Sequence, residues 1–354
     1  MFVNGTKVVR KCVSMVAVSS ALVWSLGAGA EKIYKQDPMD YVAPDYRPAL
    51  EKRKGSFGAM EFSAETLPKI REGTKSWETP FLDAPKAEAK TLPGLTGQPD
   101  VNVYVINADA DASAPRPAII HTHGGGYILG TAKASVPSMQ AIAEKHNCVV
   151  VTVDYRLAPE TAFPGSLYDN YAALKWVNDN AQQLGVDRDR LVVMGDSAGG
   201  GHAAMLALEA RKRGEISLKA QVLIYPMLDD RTGSTAPQPD WMGYLSWSAS
   251  ANRFGWSSLL GVPAGSDKVP EGAVPARVEN LAGLPETFIG VGSIDLFVDE
   301  DIEYARRLIR AGVSTELFVL PGGYHGFQTD VPDAPDSKRF HAAVDRALER
   351  AFTQ

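Results

Sequence analysis

Ser197 stands in Gly195-Asp196-Ser197-Ala198-Gly199, after the apolar run Leu191-Val192-Val193-Met194 and before a helix-type stretch from His202 to Arg213. A buried strand that turns into a helix through a glycine-flanked serine is the nucleophile-elbow pattern. Side chains beside the serine would collide with the neighbouring strand and helix, so glycine is needed there. The turn lifts the Ser197 hydroxyl above a sheet and sets the positive end of a helix behind it. A serine hydroxyl attacks a carbonyl only when a base takes its proton. That base is usually a histidine held in one tautomer by a carboxylate. On a scaffold with this elbow the chain order is serine, acid, histidine.

Two histidines, His325 and His341, follow a plausible acid after Ser197. His341 lies in the helical pattern Phe340-His341-Ala342-Ala343-Val344 and reads as structural. His325 lies in Gly322-Gly323-Tyr324-His325-Gly326-Phe327, a loop straight after the strand ending at Leu320, where reactive groups are commonly placed. Asp295 follows the apolar strand around Phe288 to Val291 and is the better-placed acid. Asp299 is the alternative; with Glu300 and Asp301 it resembles the acidic first turn of a helix. An oxyanion needs amide donors. His123-Gly124-Gly125-Gly126 follows a strand and offers backbone N–H groups with no side chain in the way, and the N–H of Ala198 should supply another donor. His121 and His123 alternate along a strand and so face opposite ways, and the glycine runs carry no phosphate-loop lysine. Neither a metal nor a cofactor is expected.

The elements that must hold these residues alternate along the chain. Short apolar strands are expected at Val101–Ile106, Ala118–Ile120, Cys148–Val153, Leu191–Met194, Ala220–Tyr225, Thr287–Val291 and Thr315–Leu320. Helices are expected between them, at 135–146, 166–180, 202–213, 299–311 and 337–352. This is an α/β fold: a mostly parallel, doubly wound sheet with helices on both faces. Ligands of such sheets bind outside the carboxyl ends of the strands, where Ser197 falls. Residues 31–100 read as N-terminal helices, at Asp45 to Arg53 and Ala64 to Glu72, that fold over a main domain spanning 101–354. Residues 227–284, with Trp241, Tyr244, Trp247, Phe254 and Trp256, interrupt the alternation and read as a lid-like insertion.

The chain has 354 residues, 45% hydrophobic and 22% charged, which is ordinary globular composition. Its net charge of −6 gives no basic face for nucleic acid. Lys7, Arg10 and Lys11, then an uncharged run from Cys12 to Leu26, then Ala28-Gly29-Ala30, read as a signal peptide over 1–30 cleaved before Glu31. The apolar run is short of the ~20 residues a spanning helix needs. A periplasmic or secreted protein without a stable membrane anchor is expected; of the two cysteines, Cys12 leaves with the signal and Cys148 remains.

Taken together, His123-Gly124-Gly125-Gly126, Tyr155-Arg156-Leu157-Ala158-Pro159-Glu160 and Gly195-Asp196-Ser197-Ala198-Gly199-Gly200 resemble the bacterial hormone-sensitive-lipase-like (family IV) esterases, the alpha/beta hydrolase fold-3 group. The resemblance runs from about residue 40 to the C-terminus. It implies a triad of Ser197, Asp295 and His325, and an oxyanion hole from the amides of Gly125, Gly126 and Ala198. It also implies a cap built from the N-terminal helices and the insertion, and a monomer or homodimer. The expected substrates are short- to medium-chain acyl esters. A lactone, amide, carbamate or acetylated sugar would need the same triad, and a binding role is the further alternative. The chain departs from the family at Gly201-His202, where Asn-Leu is frequent; His202 is expected only to pack.

Overall fold

The computed structural model describes residues 37–52 and 61–353. The expected signal peptide lies outside the described residues. Eight strands form one sheet in the order β1-β2-β4-β3-β5-β6-β7-β8. They are β1 (Ala87–Leu92), β2 (Val101–Ile106), β3 (Arg116–Thr122), β4 (Val149–Asp154), β5 (Val186–Asp196), β6 (Ala220–Ile224), β7 (Glu286–Gly292) and β8 (Thr315–Leu320). From β4 to β8 every pairing is parallel, while β1–β2 and β2–β4 are antiparallel.

The texture of each strand follows its place. Every residue of β3 is buried, whereas β2, next to the edge, alternates buried Val101, Val103 and Val105 with more exposed Asn102 and Tyr104. Covered strands need apolar residues on both faces, and edge-proximal ones on one. Within β3, Ala118 and Ile120 join the core on one face of the sheet and Ile119 the core on the other. The first core receives α4 (Gly165–Asp179), α5 (Ala198–Arg213) and α7 (Val298–Arg310), and the second α3 (Ala132–His146) and α8 (Pro335–Thr353). Cys148 is buried at the start of β4, and burial pushes its thiol up to about 12, so it is chemically inert there.

The segment 31–100 is only partly the expected set of helices. A short turn at Pro44–Tyr46 leads into α1 (Arg47–Glu51), and α2 spans Leu67–Thr74. Ser63 Oγ accepts from the amides of Glu65 and Thr66 ahead of α2. Residues 87–92, however, are a strand. β1 is the antiparallel edge of the sheet, and of its six residues Leu92 alone is buried. Ala-Glu-Ala-Lys-Thr has no apolar alternation to betray it, and its pairing with β2 supplies the backbone partners that its side chains do not signal.

The segment between β6 and β7 holds α6 (Ala249–Leu260), started by Ser248 Oγ accepting from Ala251 N at 3.2 Å. Trp256 on α6 is fully buried, its ring 4.9 Å from that of Tyr127. At the base of the segment, buried Asp230 is paired with Arg277 at 2.7 Å. The insertion therefore packs directly on the loop that follows β3.

Candidate active site

Four loops meet at the carboxyl ends of parallel strands: those after β3, β5, β7 and β8. Each carries residues singled out from the sequence. After β5 the chain turns into α5 with Ser197 between them, at φ 58° and ψ −122°. A non-glycine residue at positive φ is strained, by roughly 1–3 kcal/mol. The surroundings fix it there. Ser197 N donates to Ile224 O at 2.8 Å, and its carbonyl accepts from Met227 N at 2.9 Å and Gly201 N at 3.0 Å. A side chain on Gly199 would collide with the carbonyl of Thr122, and one on Gly195 with Gly199. The turn can close only with glycine on both sides of the serine.

The acid and the base arrive from the next strands. Asp295 is fully buried just past β7. Its Oδ1 accepts from Phe297 N at 3.0 Å and its Oδ2 lies 2.8 Å from His325 Nδ1. His325, past β8, places Nε2 at 3.0 Å from Ser197 Oγ. With a carboxylate as acceptor, Nδ1 carries the proton and Nε2 presents its lone pair to the serine hydroxyl. The rings of Tyr225 and Phe297, with centroids 4.6 and 5.2 Å from the imidazole, hold its plane. The structure thus joins Ser197, Asp295 and His325 in one hydrogen-bonded chain. Asp299 is exposed on α7 and His341 is exposed on α8, so neither takes part.

The loop after β3 is braced from below. His123 Nδ1 donates to Gly124 O at 2.8 Å, its ring stacks on Tyr155 at 4.2 Å, and Tyr155 Oη donates to His123 O at 2.6 Å. Burial lowers the His123 pKa, so the imidazole is neutral, as a single donating Nδ1–H requires. Gly125 and Gly126 have φ of 125° and 61°, and Gly125 O accepts from Ile128 N and Leu129 N. Among the described residues the amides of Gly125, Gly126 and Ala198 donate no backbone hydrogen bond. His202 packs, as expected: it is fully buried with its ring 4.9 Å from Tyr127 and 4.4 Å from Tyr155.

The sequence matches the family described as alpha/beta hydrolase fold over residues 119–329. It is 34% identical over 323 residues to the carboxylesterase NlhH of Mycobacterium tuberculosis, covering 86% of this chain and 97% of that protein. The ethyl acetate hydrolase of Pseudomonas putida is 32% identical over 211 residues, 59% of this chain and 65% of that protein. The solved structure of a bacterial heroin esterase matches with a TM-score of 0.79 at 32% identity, covering 90% of this chain and 100% of that one. The chain belongs to the hormone-sensitive-lipase-like carboxylesterases of the alpha/beta hydrolase fold. As such it is a serine hydrolase of small-molecule esters.

Several residues that shape this esterase site are given no role by the sequence. Tyr127 Oη donates to Met227 O at 2.7 Å and ties the β3 loop to the chain beyond β6. From α2, Arg71 donates to Ile128 O at 2.9 Å and Ala158 O at 2.8 Å and pairs with Glu160 at 2.7 Å, fixing α2 to the loops after β3 and β4. Arg156 is paired with buried Asp169 on α4 at 2.8 Å. Glu300 and Asp301 lie in the acidic first turn of α7, as the sequence reads, and both are buried. Glu300 Oε1 accepts from Leu228 N at 2.6 Å and Asp229 N at 3.1 Å, steadying the strand end that supports the elbow. A charge-sensitive backbone contact across 72 residues leaves no local pattern to read.

Asp301 is different, because neither of its carboxyl oxygens has a hydrogen-bond partner among the described residues. Burial raises its pKa well above the usual range, with Glu300 and then Asp295 adding to it. A folded-state pKa above the unfolded one stabilises the fold below the ordinary carboxyl range and is lost as pH rises toward the folded value. In Asp301→Asn, melting temperature relative to the native protein should therefore climb from about pH 4 to about pH 8. A difference that stays flat across that range, read by calorimetry, would contradict this account of the buried carboxyl.

Proposed function

We propose that this esterase hydrolyses short- to medium-chain acyl esters through an acyl-enzyme on Ser197, with His325 as base and Asp295 as its orienting carboxylate. The observation that carries the reading is the position of His325 between the two, 3.0 Å from Ser197 Oγ and 2.8 Å from Asp295 Oδ2. His325 Nε2 takes the serine proton as Oγ attacks the ester carbonyl, and Asp295 stabilises the imidazolium that forms. The amides of Gly125, Gly126 and Ala198 receive the developing oxyanion, preorganised by the bracing of His123 and Tyr155. His325 then gives the proton to the leaving alcohol, the C–O bond breaks, and the alcohol departs. Water, deprotonated by the same nitrogen, attacks the acyl-enzyme and releases the acid and the serine.

Aromatic side chains over the oxyanion loop, with Trp247 and Phe62 rings 5.5 Å apart, support small acyl groups. The ethyl acetate hydrolase among its relatives agrees in acyl size with this reading. Hydrolysis of p-nitrophenyl acetate through decanoate by residues 31–354 should peak at the short end. Turnover that rises steadily toward decanoate would contradict the chain-length reading while leaving ester hydrolysis intact.

The basic start, apolar run and Ala28-Gly29-Ala30 support export to the periplasm or beyond without a membrane anchor. Recovery of the protein from the cytosol or the membrane fraction with an intact Met1 would contradict that. A monomer or homodimer is proposed on the resemblance alone.

A further inference from the structure

A side chain of the insertion stands against the glycine loop of the proposed oxyanion hole. The benzo edge of Trp247 lies so near Gly126 that a Cβ on that glycine would collide with Cη2 and Cζ2 of the indole. The ring is not free to swing. Its Nε1 donates to Asn252 Oδ1 at 3.2 Å, and Asn252, fully buried on α6, donates from Nδ2 to Thr232 O at 2.9 Å. Phe62 packs on the indole at 5.5 Å, and Phe254 on Phe62 at 6.3 Å. Three rings from two separate segments make one wall, and a buried amide latches the indole through its N–H.

The reaction fixes which part of an ester meets that wall. The leaving oxygen must face His325 Nε2 to receive its proton, and the carbonyl oxygen must face the amides of the glycine loop. The third substituent of the carbonyl carbon, the acyl chain, then points away from both the imidazole and the glycine amides, into the space between the glycine loop and the insertion that carries the indole. We propose that Trp247 is the acyl-limiting residue, holding the site to acetyl-to-butyryl groups, and that Asn252 is the positioning residue that keeps the ring in place. This rests on the ester hydrolysis proposed above and adds the side chain that sets its substrate range. The alcohol side is left unrestricted by this wall.

The test compares two ester series on the purified enzyme, Trp247→Ala, Trp247→Leu and Asn252→Leu. One series varies the acyl chain (p-nitrophenyl acetate, butyrate and octanoate), and the other varies the alcohol (ethyl, butyl and octyl acetate). In Trp247→Ala the octanoate-to-acetate ratio of kcat/KM should rise by about tenfold or more, and the octyl-to-ethyl acetate ratio by less than about threefold. Asn252→Leu should move the acyl ratio in the same direction by less, because the ring remains but is no longer held. Trp247→Leu, which keeps an apolar group against the glycine, carries the test if the alanine variant does not fold. An unchanged acyl ratio in folded Trp247 variants, or a change confined to the alcohol series, overturns the assignment while ester hydrolysis stands. A native enzyme that hydrolyses neither series overturns the ester reading and the wall with it.

Discussion

Ser197→Ala should lower kcat for p-nitrophenyl acetate by about 10⁴-fold or more, toward the residual rate that oxyanion binding alone sustains. The size of the effect follows from the chemistry: without Oγ there is no acyl-enzyme, and His325 has no bound nucleophile to deprotonate. The fold should not suffer. Alanine keeps the Cβ, and the backbone bonds that hold position 197 at φ 58°, from Ile224, Met227 and Gly201, involve no side-chain atom. A melting temperature close to the native value, with hydrolysis lost, is the expected pair of results. Residual activity within about tenfold of the native enzyme would mean that another group attacks the ester.

Asp295→Asn should cost about 10⁴-fold in kcat as well, by a different route. The carboxylate accepts Nδ1–H of His325 at 2.8 Å and so leaves Nε2 free to act as base. An asparagine can turn its NH₂ toward Nδ1, which then becomes the acceptor, and the imidazole proton moves to Nε2, facing Ser197 Oγ. The base is then blocked by its own proton. Asp295 Oδ1 also accepts from Phe297 N, so the asparagine oxygen has a backbone donor that favours this orientation. Binding of substrate should change far less than kcat, and a steady-state split between KM and kcat reads this directly. An equal rise in KM with little loss of kcat would assign Asp295 to binding instead.

The three residues of the candidate site are legible in the sequence because each is placed by local chemistry. Ser197 needs flanking glycines at a strand–helix turn, and His325 and Asp295 fall just past apolar strands in the chain order the scaffold dictates. The sheet is legible for the same reason, since its central strands are continuous apolar runs. What escapes is whatever is fixed by distant partners. β1 has a polar surface and becomes a strand because β2 offers it an edge. Tyr127, Arg71 and Glu300 act by reaching backbone groups at Met227, Ile128 and Leu228, which spacing along the chain does not encode. Asp301 looks like its exposed neighbour Asp299 in a row of acids, and only the packing of α7 against the sheet separates the buried from the exposed.

The most direct test of the central claim is to treat the protein with a fluorophosphonate and locate the adduct by peptide mass spectrometry. An activated serine beside a poised imidazole should be phosphonylated stoichiometrically, at Ser197 and nowhere else, with ester hydrolysis lost in step. No adduct, or one on a different residue with Ser197 unmodified, would contradict the account.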